Sequence, residues 1–491
     1  MNIVLSKKRN ITVILILLLI LVIIFMFHYI LHYYNVIKFD DAYITFRYAK
    51  NLSNFGQLSY NLGEKVFGTT TPLWAILLGL SNKLSLNIEH FSVYFSIILL
   101  FFTLFIIIIK FQNSNKKFFF LFFLIFLLNP NVLKILFSGM EIYFCIFLIS
   151  FAFFFIKKNE IKIIFSLLIL NARIDMGILY IISIFLYLYF IEYFWGKIIN
   201  LKYLIRCCIL LLAVIVLYFG INIIIFNQLI PNTIIAKSVI YKGTEYEQSF
   251  LYRICSTIKM SWGGYTALFL WLSYFISLFF FLKRSKLKHI LILDFFILLN
   301  VILLIFFITR HQSWYYITLM FFFITTIVLH FLFSNIKFII NRKIVKNTLI
   351  VFLTFFSFYQ FRYYYQHKFK NRQILVNSDL YKVAKIIKHD STVFCGDIGI
   401  IGYFTKNCYI YDYAGLITPS AIEYNKKKKK YANNLINVST ESLLDEIKTV
   451  NPVYINLRKS YIFTEYIVKY LVQLNLYKVI FNSSEILLKK Y

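Results

Sequence analysis

Uninterrupted apolar runs of membrane length recur along this chain, and they settle which solvent most of it must face. Ile11–Tyr33, Phe91–Ile109 and Cys207–Phe226 contain no Asp, Glu, Lys or Arg. A helix rises 1.5 Å per residue, so about 20 such residues cross about 30 Å of hydrocarbon. Further apolar stretches fall at 118–128, 142–156, 265–282, 290–308, 315–333 and 348–361. Hydrophobic residues make up 60% of the 491, against about 45–50% in soluble domains, and the mean hydropathy is +0.74. The expected fold class is a polytopic α-helical membrane protein.

The formal charge of +31 would suggest nucleic acid in a soluble chain. Here Lys and Arg gather in short loops between apolar runs: Lys110–Lys117, Lys157–Lys162, Lys197–Arg206, Lys283–Lys288 and Lys337–Lys346. That is the pattern of cytoplasmic loops, so a nucleic-acid partner is not expected. Lys7, Lys8 and Arg9 place the N-terminus in the cytoplasm, ahead of a first span that is too long for a signal-peptide core and lacks a cleavage site. The Lys, Ile, Phe, Tyr and Asn bias suits an AT-rich genome, and the expected location is the cytoplasmic membrane of a bacterium. About eleven spans are counted, two of them a broken pair, which puts the C-terminus outside.

Two regions are expected: a membrane domain at 1–361, with a first outer loop at about 34–90, and an extracytoplasmic α/β domain at 362–491. Within the loop, Leu73–Leu80 is too short to span and is expected to lie along the surface or re-enter. In the second region Leu380, Val383, Ile386 and Ile387 share a helical face. Strand-like runs follow at Thr392–Cys395, Cys408–Tyr411 and Val453–Asn456, with a candidate hairpin at Tyr477–Leu488 turning at Asn482-Ser483-Ser484. Cys395 and Cys408 could form a disulfide there; the other four cysteines are read as small buried hydrophobes. The run Lys426–Lys430 is read as a solvated loop. Neither a CxxC pair nor HExxH occurs, so no metal motif is present.

The chemistry-bearing residues begin at Asp40 and Asp41, just past the first span. Adjacent carboxylates repel each other and resist desolvation, so the pair needs a reason to be at a membrane surface. On a helix Asp40, Tyr43 and Arg47 share one face. A carboxylate able to take a proton, beside a cation able to steady a departing phosphate, is equipment for group transfer. The same two carboxylates could instead hold Mg²⁺ or Mn²⁺. Arg173 and Asp175 interrupt an apolar region, where charge is costly and marks either function or an ion pair between helices. Residues two apart on a helix do not face each other, so each is expected to find a partner elsewhere. Glu141 stands at the outer end of a span. Asn232 and Lys237, and the compact loop of Arg310, His311 and Trp314, are candidates to contact a phosphate or a sugar. Trp314 is equally a membrane-interface anchor. Asp294 is expected to be structural. Gly396, Gly399 and Gly402 suggest tight turns, since their spacing is not that of a phosphate loop.

Six segments in order carry a resemblance: Asp40–Ala49 (DDAYITFRYA), Asn61-Leu62-Gly63-Glu64 with Gly68–Trp74, Ser138–Glu141 (SGME), Asn171–Asp175 (NARID), Leu229–Lys237, and Gly396–Tyr403 with Asp412–Leu416. They resemble the GT-C superfamily of integral-membrane glycosyltransferases, and within it the bacterial group that includes the mycobacterial terminal arabinofuranosyltransferases. The chain departs from that pattern at Thr71, where Ser is usual, and at Asn171 and Ile174, where Thr and Pro are usual. The resemblance implies a polyprenyl-phosphate sugar donor, an acceptor glycan, glycolipid or protein on the outer face, and inversion at the sugar. It implies a first-loop carboxylate as base, Asp40 ahead of Asp41. The remaining candidates, Arg47, Glu141, Arg173, Asp175, Asn232, Lys237, Arg310, His311 and Trp314, are expected to bind donor phosphate or substrate. The rival expectation is a transporter or flippase of lipid-linked saccharides, which broken helices with buried charge would suit. A polymerase of such saccharides is a third, and a non-catalytic scaffold would leave Asp40, Asp41 and Arg173 unexplained.

Overall fold

A computed structural model of the chain describes residues 39–110, 126, 130–196, 199–241, 248–259, 264–284, 290–308, 313–333, 372–423, 435–460 and 463–491. The expected spans at 11–33 and 348–361, all but one residue of 118–128, and the Lys426–Lys430 run lie outside these residues.

The first part is helical. Its elements are α1 (Asp40–Phe55), α2 (Pro72–Lys83), α3 (Ile88–Lys110), α4 (Pro130–Leu136), α5 (Ile142–Phe154), α6 (Asn159–Ala172), α7 (Ile174–Leu186), α8 (Leu201–Phe226), α9 (Asn232–Tyr241), α10 (Phe250–Lys259), α11 (Gly264–Arg284), α12 (Leu291–Ile302) and α13 (Ser313–Phe333). Among the described residues three helices are long and apolar enough to cross a membrane: Ile88–Ile107, Ile174–Phe194 and Leu201–Phe226. Shorter apolar helices lie at 142–154, 270–279, 291–307 and 314–330. Helices of this length and composition suggest a membrane protein. Beyond Leu186, α7 widens into a π-helical turn through Trp195.

One polar cluster between the helices is fully paired, as a low-dielectric surrounding favours. The Tyr274 hydroxyl of α11 donates to Asp294 of α12 at 2.6 Å. His330 Nε2 of α13 lies 3.1 Å from the same carboxylate, and its Nδ1 lies 3.2 Å from Ser277 Oγ. Asp294 thus joins three helices, in keeping with its expected structural role.

The second part is a five-stranded mixed sheet in the order β2-β1-β3-β5-β4, with β1 at Thr392–Cys395, β2 at Tyr409–Asp412, β3 at Tyr454–Arg458, β4 at Tyr477–Asn482 and β5 at Glu485–Lys490. β1 pairs parallel with β2 and β3, while β5 pairs antiparallel with β3 and β4. Helices α14 (Arg372–Ile386), α15 (Ile398–Phe404), α16 (Leu435–Val450) and α17 (Thr464–Gln473) complete it. The alternation of a strand sorts β1 between two cores. Phe394 packs with Leu443, Leu444 and Ile467 under α16 and α17. Val393 and Cys395 face the opposite way, into a core shared with Tyr43 and Phe46 of α1.

Cys395 and Cys408 are both free and buried. The parallel register sets Cys395 beside Asp412 and Thr392 beside Tyr409, so Cys408 lies at the far end of the strand pair from Cys395. A Cα separation of that order exceeds the reach of a disulfide.

The glycines of α15 have a different task from the one expected. Gly396, Gly399 and Gly402 are not in the left-handed region. A Cβ on Gly399 would strike the Asp40 carbonyl, and one on Gly402 would strike the Tyr60 hydroxyl. Gly399 and Gly402 lie three residues apart on one helical face, and their missing side chains let α15 press flat against α1 and the loop that follows it. Gly399→Ala is expected to cost about 1–3 kcal/mol through overpacking, seen as a lower thermal midpoint and easier proteolysis between the two parts. Gly220→Ala, in α8 where nothing lies within 4 Å of the added carbon, should leave both unchanged or raise stability.

Candidate active site

α1 is the element on which the motifs assemble. Its Arg47 is buried, and its guanidinium donates to Tyr60 O at 2.7 Å, Gly402 O at 2.6 Å, Cys408 O at 2.7 Å and Asn61 Oδ1 at 3.3 Å. Asn61 continues the clasp: its amide donates to Ile410 O at 3.0 Å and its oxygen accepts from Ile410 N–H at 3.1 Å. Glu64 accepts from Asn61 Nδ2 and the Tyr409 hydroxyl. Gly68 approaches Ile417 closely. Asn232 donates to Gly415 O at 2.6 Å and Leu416 O at 3.2 Å. The Trp74 indole donates to Gly139 O at 3.2 Å, and Gly139, at φ +82°, packs against Phe46. Most of the motif residues therefore dock the first loop onto the sheet domain and onto α5. The Arg47 guanidinium and the Asn232 amide nitrogen are thus engaged by acceptors of the protein itself.

Asp40 opens α1. Its carboxylate accepts from the N–H of Gly399 at 3.1 Å and of Ile400 at 2.7 Å, and so caps α15 from another element. Burial, with the nearby Asp397 and Asp41 carboxylates adding repulsion, pushes the Asp40 carboxyl up to about 7, against the pull of the two N–H groups. Asp397 forms a 2.7 Å ion pair with Arg458, which also lies 3.2 Å from Glu485. Burial raises Asp397 as well, with Arg458 opposing and Asp41 adding to the rise. The neighbouring Asp41 is half-exposed and forms no hydrogen bond or ion pair among the described residues.

A second set of candidates meets at the helix break. Arg173 is extended, at φ −167° and ψ 116°, between α6 and α7. Because it is not helical, it reaches Asp175 two residues on, at 2.9 Å, as well as Glu141 at the start of α5, at 2.5 Å. The expectation that Arg173 and Asp175 pair apart fails for this reason: the helical geometry it assumed stops at that residue. Gly177 keeps the α6–α7 hairpin tight, its hydrogen standing against Leu170 Cα. The Arg173 guanidinium lies over Tyr315, 5.3 Å from the ring centre. Tyr315 adjoins Trp314, and Trp314 packs at 6.0 Å against Phe39, the residue before Asp40. Lys134 of α4 sits 5.0 Å over the Phe39 ring.

Trp314, Tyr315, Arg173, Glu141 and Asp175 thus form a continuous band of aromatic and charged contacts that reaches Phe39, the chain neighbour of Asp40. Lys134 belongs to it and escaped sequence reasoning. Its signal was a lone cation in the apolar run preceding Ser138. Lys237 is half-buried on α9. Arg310 and His311 lie outside the described residues. Among the described residues no three His, Cys, Asp or Glu side chains are grouped as a metal site. With Asp40 turned to two N–H groups, the Asp40–Asp41 pair does not fit a resident Mg²⁺ or Mn²⁺.

A family described as a domain of unknown function (DUF8728) matches residues 363–484, the sheet domain and the approach to it. No curated protein matches the chain.

Asp40 carries a pH signature. Unfolded, it ionises near 3.8; folded, near about 7. Between those values the folded chain keeps a proton the unfolded chain has lost, so stability falls as pH rises through the window. Asp412, also pushed up to about 7 by burial, slopes the same way. Asp40→Asn is expected to remove one proton's share of that slope, measured as a smaller drop in unfolding midpoint between pH 5 and pH 8.

Proposed function

We propose that the protein is an inverting, GT-C-like glycosyltransferase with about eleven membrane spans. It moves a sugar from a polyprenyl-phosphate donor to an acceptor glycan, glycolipid or protein on the outer face of a bacterial cytoplasmic membrane. The observation that carries this reading is the uncommitted Asp41 carboxylate, set beside the Asp40 cap and the Phe39–Trp314–Tyr315–Arg173 band at one end of the apolar helices.

In this reading the two carboxylates divide the work. Asp40 is held by Gly399 and Ile400 and fixes the start of α1. Asp41, whose lone pairs meet no donor among the described residues, takes the proton from the acceptor hydroxyl as that oxygen bonds to the anomeric carbon. The carbon–oxygen bond to the phosphate breaks on the opposite face, and the polyprenyl phosphate leaves with the electron pair. Arg173 is shared by two carboxylates, so its part is to hold Glu141 and Asp175 in place. Lys134 is the cation placed to balance the departing phosphate. Trp314 and Tyr315 offer ring faces to a sugar.

A transporter of lipid-linked saccharides is the competing reading, favoured by the charged break at Arg173. Turnover separates the two. Purified protein given a panel of polyprenyl-phosphate sugars should form a glycosidic product, and soluble nucleotide sugars should not replace them. Asp41→Asn should lower transfer by about 10²–10⁴-fold at an unchanged unfolding midpoint. Full activity in that variant, or movement of intact donor across a bilayer without product, would overturn the assignment.

A further inference from the structure

A cavity of about 690 Å³ lies at the far end of α1 from the aspartates, between α1, α2 and the last turn of α8. Leu52 of its lining is twelve residues beyond Asp40, about 18 Å along a helix at 1.5 Å per residue. The volume falls within the ~300–1,000 Å³ of small-molecule sites. Its walls are of two kinds. Leu52, Leu58, Ile76, Leu80 and Ile225 form the apolar part, and Lys65, Lys83 and Glu64 the charged part.

The charged part is unbalanced. Both Glu64 oxygens already accept, from Asn61 and Tyr409. Lys65 and Lys83 are exposed and make no hydrogen bond or ion pair among the described residues. The lining thus carries two exposed lysines against one engaged carboxylate. The position fixes what could lie there. Ile225 is in the final turn of a helix long and apolar enough to cross a membrane, so the cavity lies at the end of that helix. Leu80, Leu84 and Leu86 are exposed beside it, an apolar apron around α2 that water would not favour.

We propose that this cavity binds one anionic membrane phospholipid, its phosphate on Lys65 and Lys83 and an acyl chain along Leu58, Ile76, Leu80 and Ile225. Long lysine stems suit this task, since they lie along apolar surface and hold the ammonium at headgroup level. The site stands apart from the Asp41 band and does not depend on the transferase reading. A lipid held here would brace α1 and α2 against α8 at the end away from the aspartates.

Native mass spectrometry of the full-length chain, with phosphatidylglycerol, phosphatidylcholine, glycerol 3-phosphate or inorganic phosphate added in turn, tests the assignment. Wild type should retain one phosphatidylglycerol and neither phosphatidylcholine nor the two soluble phosphates. Retention should fall at least tenfold in Lys65→Gln/Lys83→Gln and return in Lys65→Arg/Lys83→Arg. Leu80→Asp, which sets a carboxylate among the chain contacts at an exposed position, should also lose the lipid while keeping the unfolding midpoint. Equal retention in the Gln variant, equal retention of phosphatidylcholine, or capture of a phosphate without a chain would each sink the proposal.

Discussion

A buried guanidinium holds this molecule together. Arg47 reaches from α1 to two carbonyls of the sheet domain and to two acceptors of its own loop. Removing a charged donor from several buried acceptors leaves each of them unsatisfied, at about 1–3 kcal/mol apiece. No other side chain restores that geometry, because only the planar fork offers donors in so many directions. Around it the Asn61 amide and the Gly399 and Gly402 approaches set the distance between α1 and α15. That distance in turn decides whether Asp40 can reach the N–H groups of Gly399 and Ile400.

The band of charged and aromatic side chains follows from the same placement. Lone charges beside apolar helices are costly, and each of these is answered locally. Arg173 meets Glu141 and Asp175 and rests on Tyr315; Asp397 meets Arg458. Asp41 is the exception among the described residues, and in the proposed reading its reactivity would follow from that. A carboxylate whose lone pairs are not consumed by protein can accept a proton from something that arrives. Its neighbour, already accepting from two amides, serves better as an anchor.

Much of the sheet domain could be read in the sequence. The strands at Thr392–Cys395 and Tyr477–Asn482, the turn at Ser483-Ser484 and the helical face of Leu380 and Val383 are where alternation and helical spacing put them. Helices α16 and α17 were not foreseen. Their apolar residues answer to a sheet face assembled from distant strands, which a local window does not see. The motif residues were legible as important, but their tasks were not. Arg47 and Asn232 read as ligand-binding types, yet each has partners among carbonyls some 180 to 360 residues away. The Arg173–Asp175 pair was missed because one extended residue undoes the helical rule. Spacing cannot show such a residue when Ile stands where Pro would have announced it.

The Asn61 bonds to both backbone groups of Ile410 have a consequence for the sheet domain as a piece. β2 is a border strand, and that asparagine imitates the neighbour it lacks. Cut away from residues 40–64, the domain matched at 363–484 would bare that border. Exposed strand borders invite other strands, so such a fragment would recruit copies of itself. The segment at 40–64 thus doubles as a chaperone carried in the same chain, shielding a surface made more than 300 residues later.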